Sequence, residues 1–156
     1  MRLLTVLLIL ALAGCTATAN PAPGDGSGSQ TPADTVRVEV AARQIEPAAP
    51  EQPGPPAPTG VSARGEAGRI VVAGRMETPD PCRRITGTAE RSGSEVTVRL
   101  EARRVGEMCT DVIAAFAYDA TVQGLPAGTY RLRVVHAYPG TGWETQTVLE
   151  ESVRVR

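Results

Sequence analysis

Lysine is absent from this chain, and histidine, phenylalanine and tryptophan occur once each, with three tyrosines. The missing lysine excludes Schiff-base and lysine-base chemistry and the P-loop. With His136 as the single histidine, any Ser-His-Asp or Cys-His arrangement would have to use it. His136 alternates in phase with Tyr130, Leu132 and Val134, which reads as a structural histidine towards a strand end. No His-x-His, Glu-x-x-His or acidic calcium-loop pattern accompanies it. A formal net charge of −1 and the shortage of aromatic rings for base stacking argue against nucleic-acid binding. Long apolar runs are also scarce. The one example, Leu3 to Leu12, is too short to cross a bilayer as a helix.

That run has its own reading. Arg2 supplies a short positive region, the leucine-rich stretch follows, and small residues lead through Leu12, Ala13 and Gly14 into Cys15. The four residues resemble the bacterial lipobox. The resemblance implies cleavage after Gly14, lipidation of Cys15 and a mature protein held at the membrane by acyl chains. At about 0.8 kcal/mol per buried methylene, two or three chains anchor firmly. Thr16 is not the aspartate that resembles an inner-membrane retention signal, so the expected location is the cell envelope, at the outer membrane where the host has one. A plain secretory signal cut near Ala17 or Ala19 is the alternative, and leaves a secreted protein.

The composition divides the rest. Residues 1–14 are read as the signal peptide. Residues 15–58, rich in Ala, Pro, Gly, Ser and Thr, bury too little apolar surface to offset their ordering entropy and read as a disordered tether with a reach of a few tens of Å. Within it, residues 35–41 alternate: Val36, Val38 and Val40 fall on one side, Arg37 and Glu39 on the other. This is either a strand that pairs with the following domain or a disordered stretch that happens to alternate. Residues 59–156 predict an all-β domain with strands over 69–76, 83–90, 95–103, 112–122, 130–138 and 144–155. Val96, Val98, Leu100 and Ala102 point inward there, and Arg91-Ser92-Gly93-Ser94 makes a hairpin. Apolar residues on both faces mark 112–122 as a central strand. Glu151, in phase with Leu149, Val153 and Val155, calls for a bulge or an edge position.

Cys82 and Cys109 remain once Cys15 is committed to lipid, and beyond the inner membrane they are free to pair. A disulfide between them would contribute about 3.5 kcal/mol. The rival, a metal site, would want several cysteines or histidines at short spacing. In Gly124-Leu125-Pro126-Ala127-Gly128-Thr129-Tyr130, Pro126 presets a turn dihedral, Gly128 permits a positive φ, and the Tyr130 hydroxyl can bond back to the turn. The run resembles the G-L-P-x-G-x-Y turn of transthyretin-like and immunoglobulin-like sandwiches. Without the Thr-Asp-x-x-Gly-x-Phe stretch upstream, the resemblance implies the more general immunoglobulin-like antiparallel sandwich of six to seven strands. From Gly74 through the final valines the chain is also similar to small uncharacterised domains of secreted bacterial proteins.

No spacing brings Asp80, Glu90, Glu95 or Asp119 together as a catalytic pair. Arg83, Arg84, Arg99, Arg103, Arg104, Arg131 and Arg133 form either a basic stripe or, as preferred here, cross-strand pairs with Glu90, Glu95 and Glu101. Trp143, in the loop after Tyr138, either caps the core or, with Tyr138, makes a contact site. The expected protein is therefore a non-catalytic envelope lipoprotein without cofactor or metal. Its expected partners are the membrane, through the anchor, and an envelope or extracellular protein, with glycan as the alternative. Two other functions are kept in view: a protease inhibitor using Thr78-Pro79-Asp80-Pro81-Cys82 as its loop, and a carbohydrate- or peptidoglycan-binding module using Tyr138 and Trp143.

Overall fold

A computed structural model describes residues 34–47, 60–106 and 108–156. The lipobox-like motif with Cys15, most of the tether and the 58/59 boundary lie outside the described residues. Among the described residues there are nine strands: β1 (Asp34–Val36), β2 (Val38–Ile45), β3 (Ser62–Glu66), β4 (Arg69–Thr78), β5 (Arg83–Ser92), β6 (Glu95–Arg104), β7 (Ala114–Gln123), β8 (Gly128–Ala137) and β9 (Gln146–Val155). No helix occurs among the described residues. The strands form a five-stranded sheet of order β1-β5-β6-β8-β9 and a four-stranded sheet of order β2-β7-β4-β3.

The expected all-β sandwich is present, with nine strands in place of six to seven. One neighbouring pair, β6 and β8, is parallel, because the chain visits β7 in the opposite sheet between them. The core follows from period-two alternation. Val96, Val98, Leu100 and Ala102 on β6 are fully buried, and they share one core cluster with Leu132 and Val134 of the neighbouring β8 and with Ile70, Val72, Phe116 and Ala120 of the opposite sheet. β7 lies between β2 and β4, which accounts for the burial of both Ala114 and Ala115 at its start. Val112 and Ile113, expected in this strand, precede it and are exposed. Their lane ends where Ala114 pairs with Thr78, the last residue of β4.

Both sides of the sandwich are closed by chain that bridges the sheets. On one side, residues 34–45 change sheet at Arg37: β1 pairs with β5 and β2 with β7. Val36, Val38 and Val40 pack against the core. The described sandwich thus begins at Asp34 rather than at residue 59. On the other side, the Gly68 N–H donates to the Arg156 carbonyl at 3.1 Å and the Arg156 N–H to Glu66 at 3.2 Å, joining the β3–β4 hairpin to the end of β9. The approach is so close that a Cβ on Gly65 would collide with the Arg154 carbonyl.

β9 is both an edge strand and bulged. Its register against β8 shifts between Val134 and Val135, and Glu151 stays exposed. The turn into β8 has the expected tyrosine bond, with the Tyr130 hydroxyl donating to the Pro126 carbonyl at 2.9 Å, while Leu125 is buried. The positive φ falls on Gly124, at 78°, and not on Gly128. The chain reverses at the exit of β7, leaving Gly128 as an ordinary first residue of β8.

Candidate functional site

Three loops gather at one end of the sandwich: residues 79–82 between β4 and β5, 105–113 between β6 and β7, and 138–145 between β8 and β9. A buried ion pair and a disulfide tie them. Arg83 donates from Nε and Nη2 to Asp80 Oδ2, at 2.8 and 2.6 Å, and both side chains are nearly inaccessible. Its Nη1 reaches the carbonyls of Ala102, at 3.3 Å, and Pro139, at 3.4 Å. Asp80 Oδ1 accepts the Cys82 N–H at 3.1 Å. The Arg83 guanidinium and, beyond it, the Cys82 N–H hold the Asp80 carboxyl below the ordinary carboxylate range, against the opposing effect of burial. A buried pair of this kind adds little net stability over an apolar substitute. Its effect here is to fix the first and third loops against the end of β6.

The disulfide between Cys82 and Cys109, with Cα atoms 5.9 Å apart, joins the first loop to the second. Asp80, Cys82 and Cys109 are the one cluster of metal-ligating residue types found among the described residues. Both sulfurs are bonded to each other and the carboxylate is taken by Arg83. The segment 78–82, weighed as an inhibitory loop, is folded inward. Thr78 is fully buried, its hydroxyl donating to the Asp80 carbonyl at 2.7 Å, and Asp80 is 5% exposed.

The third loop is built around Pro139 and Gly140. Pro139 presets one dihedral, Gly140 adopts φ 73°, and the Thr141 N–H donates to the Tyr138 carbonyl at 3.2 Å, the pattern of a type II turn. The Thr141 hydroxyl donates to that same carbonyl, at 2.8 Å, and accepts the Trp143 N–H at 3.0 Å. Trp143 is thereby held edge-to-face against Tyr138, with ring centroids 5.3 Å apart and planes at 65°. Tyr138 is buried, while Trp143 remains 37% exposed.

These two rings stand at a groove of about 270 Å³ that Arg75, Glu77, His136, Gln146 and Val148 also line. It exists because β3 pairs only with the first half of β4, up to Ala73, and the stretch carrying Arg75 and Glu77 has no strand on that side among the described residues. Arg75 and Glu77 form an ion pair at 3.2 Å on the rim. At the floor, His136 Nε2 lies 2.9 Å from the Tyr118 hydroxyl. Burial pushes the imidazole pKa down to about 4 and the Tyr118 phenol up, so both are neutral at pH 7. Burial, then the charge of Glu77, also pushes the Tyr138 phenol up.

Residues 71–148 match the family model of the ORF11 beta-sandwich domain. The chain belongs to this family. The family match runs from β4 into the start of β9, and includes the disulfide, the Asp80–Arg83 pair and the Trp143 loop. No curated protein and no solved structure matches the chain.

Sequence reasoning singled out Tyr138 and Trp143, which the fold brings together, and His136, which lies beneath them. It missed Arg75, Glu77 and Gln146, whose convergence depends on strand order. It also placed Arg83 among surface cations. Arg83 shares its alternation phase with Ile85 and Ala89, both buried, and that phase was the available signal. Of the remaining arginines, Arg84, Arg99, Arg103, Arg131 and Arg133 share the outer face of β5, β6 and β8 with Glu90, Glu95 and Glu101, so acids interleave with the bases there. Arg99 and Arg103 both pair with Glu101, two residues away on the same face, and Arg133 reaches Glu150 across to β9.

Proposed function

We propose that this protein is a lipid-anchored module of the bacterial envelope, at the outer membrane where the host has one, carrying a non-catalytic recognition surface on the loop end of its sandwich. The anchor in this reading is Cys15, on the strength of the lipobox-like Leu12-Ala13-Gly14-Cys15. One observation carries the rest. The exposed large hydrophobic residues found among the described residues are Val105, Met108, Val112, Ile113 and Trp143, and all five sit on loops of that one end. Apolar groups gathered in this way mark a contact surface.

The polarity of the fold supports the same reading. Asp34 pairs with Arg91, next to the β5–β6 turn, whereas the loops lie beyond Arg83. Eight residues of strand separate the two positions, roughly 27 Å. A tether rooted at Asp34 therefore leaves the loops facing away from its root.

Two measurements test the proposal. Cys15→Ala should move the protein from the membrane to the soluble fraction and abolish fatty-acid labelling. Cross-linking of the full chain in intact envelopes should recover a specific adduct that Trp143→Ala or Met108→Ser removes. Membrane retention without Cys15 would overturn the anchor. Adducts that survive both loop substitutions would overturn the recognition surface.

A further inference from the structure

Resting on the recognition reading, we infer that the groove beneath Trp143 binds a saccharide chain, with the indole as its stacking platform and Glu77, Arg75 and Gln146 as its hydroxyl-binding rim. Beside its edge-to-face contact with Tyr138, Trp143 keeps 37% of its surface exposed. An exposed aromatic ring offers an apolar surface to the C–H face of a sugar, which has no charge and little other apolar surface to offer. The ring is also positioned in advance: the type II turn and the Thr141 hydroxyl fix the loop backbone that leads into it. Preorganisation of this kind lowers the ordering cost of binding.

The rim then selects among ligands. Each sugar hydroxyl both donates and accepts, so a saccharide needs donors and acceptors interleaved around the platform. Arg75 supplies donors, Glu77 supplies an acceptor, and the Gln146 amide supplies both. Arg75 and Glu77 already neutralise each other at 3.2 Å, so the groove holds no surplus charge for an anionic or cationic ligand. The bulge of β9 falls beside the groove, between the pairs Val134–Leu149 and Val135–Thr147. Bulges recur where a sheet re-aims side chains towards a site. Among the described residues the groove has an open edge along β4, as binding along the interior of a polymer requires.

Trp143 is the single tryptophan of the chain, so its fluorescence reports on the groove directly. The full chain, in a non-glycosidic detergent, is titrated with chitotetraose, cellotetraose and maltotetraose, and is co-sedimented with isolated peptidoglycan sacculi. The expected result is a saturable blue shift with at least one tetrasaccharide, or saturable sedimentation with sacculi. Glu77→Gln and Gln146→Ala should each weaken the interaction about tenfold, and Trp143→Ala should abolish sedimentation, all with an unchanged melting temperature. Absence of a saturable response to every probe overturns the inference, as does binding unaffected by the two rim substitutions. A cross-linked envelope protein lost in Trp143→Ala, together with silence towards all four glycans, overturns the saccharide assignment and leaves the recognition surface standing.

Discussion

Neutral His136, 3% exposed beside Tyr118, makes the stability of this protein depend on pH well above the carboxylate range. The unfolded imidazole titrates near pH 6.5 and the folded one near 4, so between those values the unfolded chain binds the extra proton. Stability is complete above about pH 6.5 and falls as the pH drops towards 4, by an amount on the order of 3 kcal/mol. Asp80 acts in a lower window. Its folded pKa lies below its ordinary value of 3.8, so its contribution is present above that value and is lost as the pH falls through the folded pKa. Urea midpoints followed from pH 7 to below pH 3 should therefore decline in two stages, the first between about pH 6.5 and 4 and the second below 3.8. His136→Gln should flatten the upper stage, and Asp80→Asn the lower. That His136 faces inward was legible from its phase with Leu132 and Val134. Its partner was not, because Tyr118 reaches it from the opposite sheet. The Asp80–Arg83 pair was hidden for a related reason: a charged side chain at an inward position is read as surface until a buried partner is known.

Among the elements, the six ten-residue strands β4 to β9 were readable, and the shorter β1, β2 and β3 were ambiguous or missed. β6 is the clear case, with every inward residue apolar. β3, of sequence SARGE, has a single apolar residue and left no pattern to find, although its pairing with β4 completes a sheet. Residues 34–45 were ambiguous because their alternation runs across a change of sheet. The valines of one continuous phase serve two lanes, with Val36 in β1 and Val38 and Val40 in β2. A chain starting at residue 59 should consequently lose the cover over β5 and β7 and expose the core beneath those valines. Such a chain is expected to aggregate or to melt without a cooperative transition, whereas one starting at residue 31 melts cooperatively. Circular dichroism on heating separates the two outcomes.

On the scale of the whole molecule, the two ends of the sandwich differ in kind. One carries tight turns and the chain's entry point, and the other carries longer loops held by the disulfide and the Asp80–Arg83 pair. This polarity was illegible in the sequence, since it depends on the parallel placement of β8 beside β6, which brings 138–145 to the same end as 79–82 and 105–113. Replacing both Cys82 and Cys109 by Ser should lower stability by about 3.5 kcal/mol, from the 27-residue separation that the bond closes. The loss should appear as a lower urea midpoint with the sheets intact. Hydrogen exchange should rise first in 105–113.

The sheet change at Arg37 has a mechanical consequence. β1 and β2 run lengthwise along their partners, so a pull on Asp34 along the strand axis draws β1 along β5 and then β2 along β7. The three register pairs of the first and the eight of the second are loaded in shear, several at a time, instead of being peeled apart one after another. The same twelve residues that close one side of the sandwich thus give it a root that resists tension.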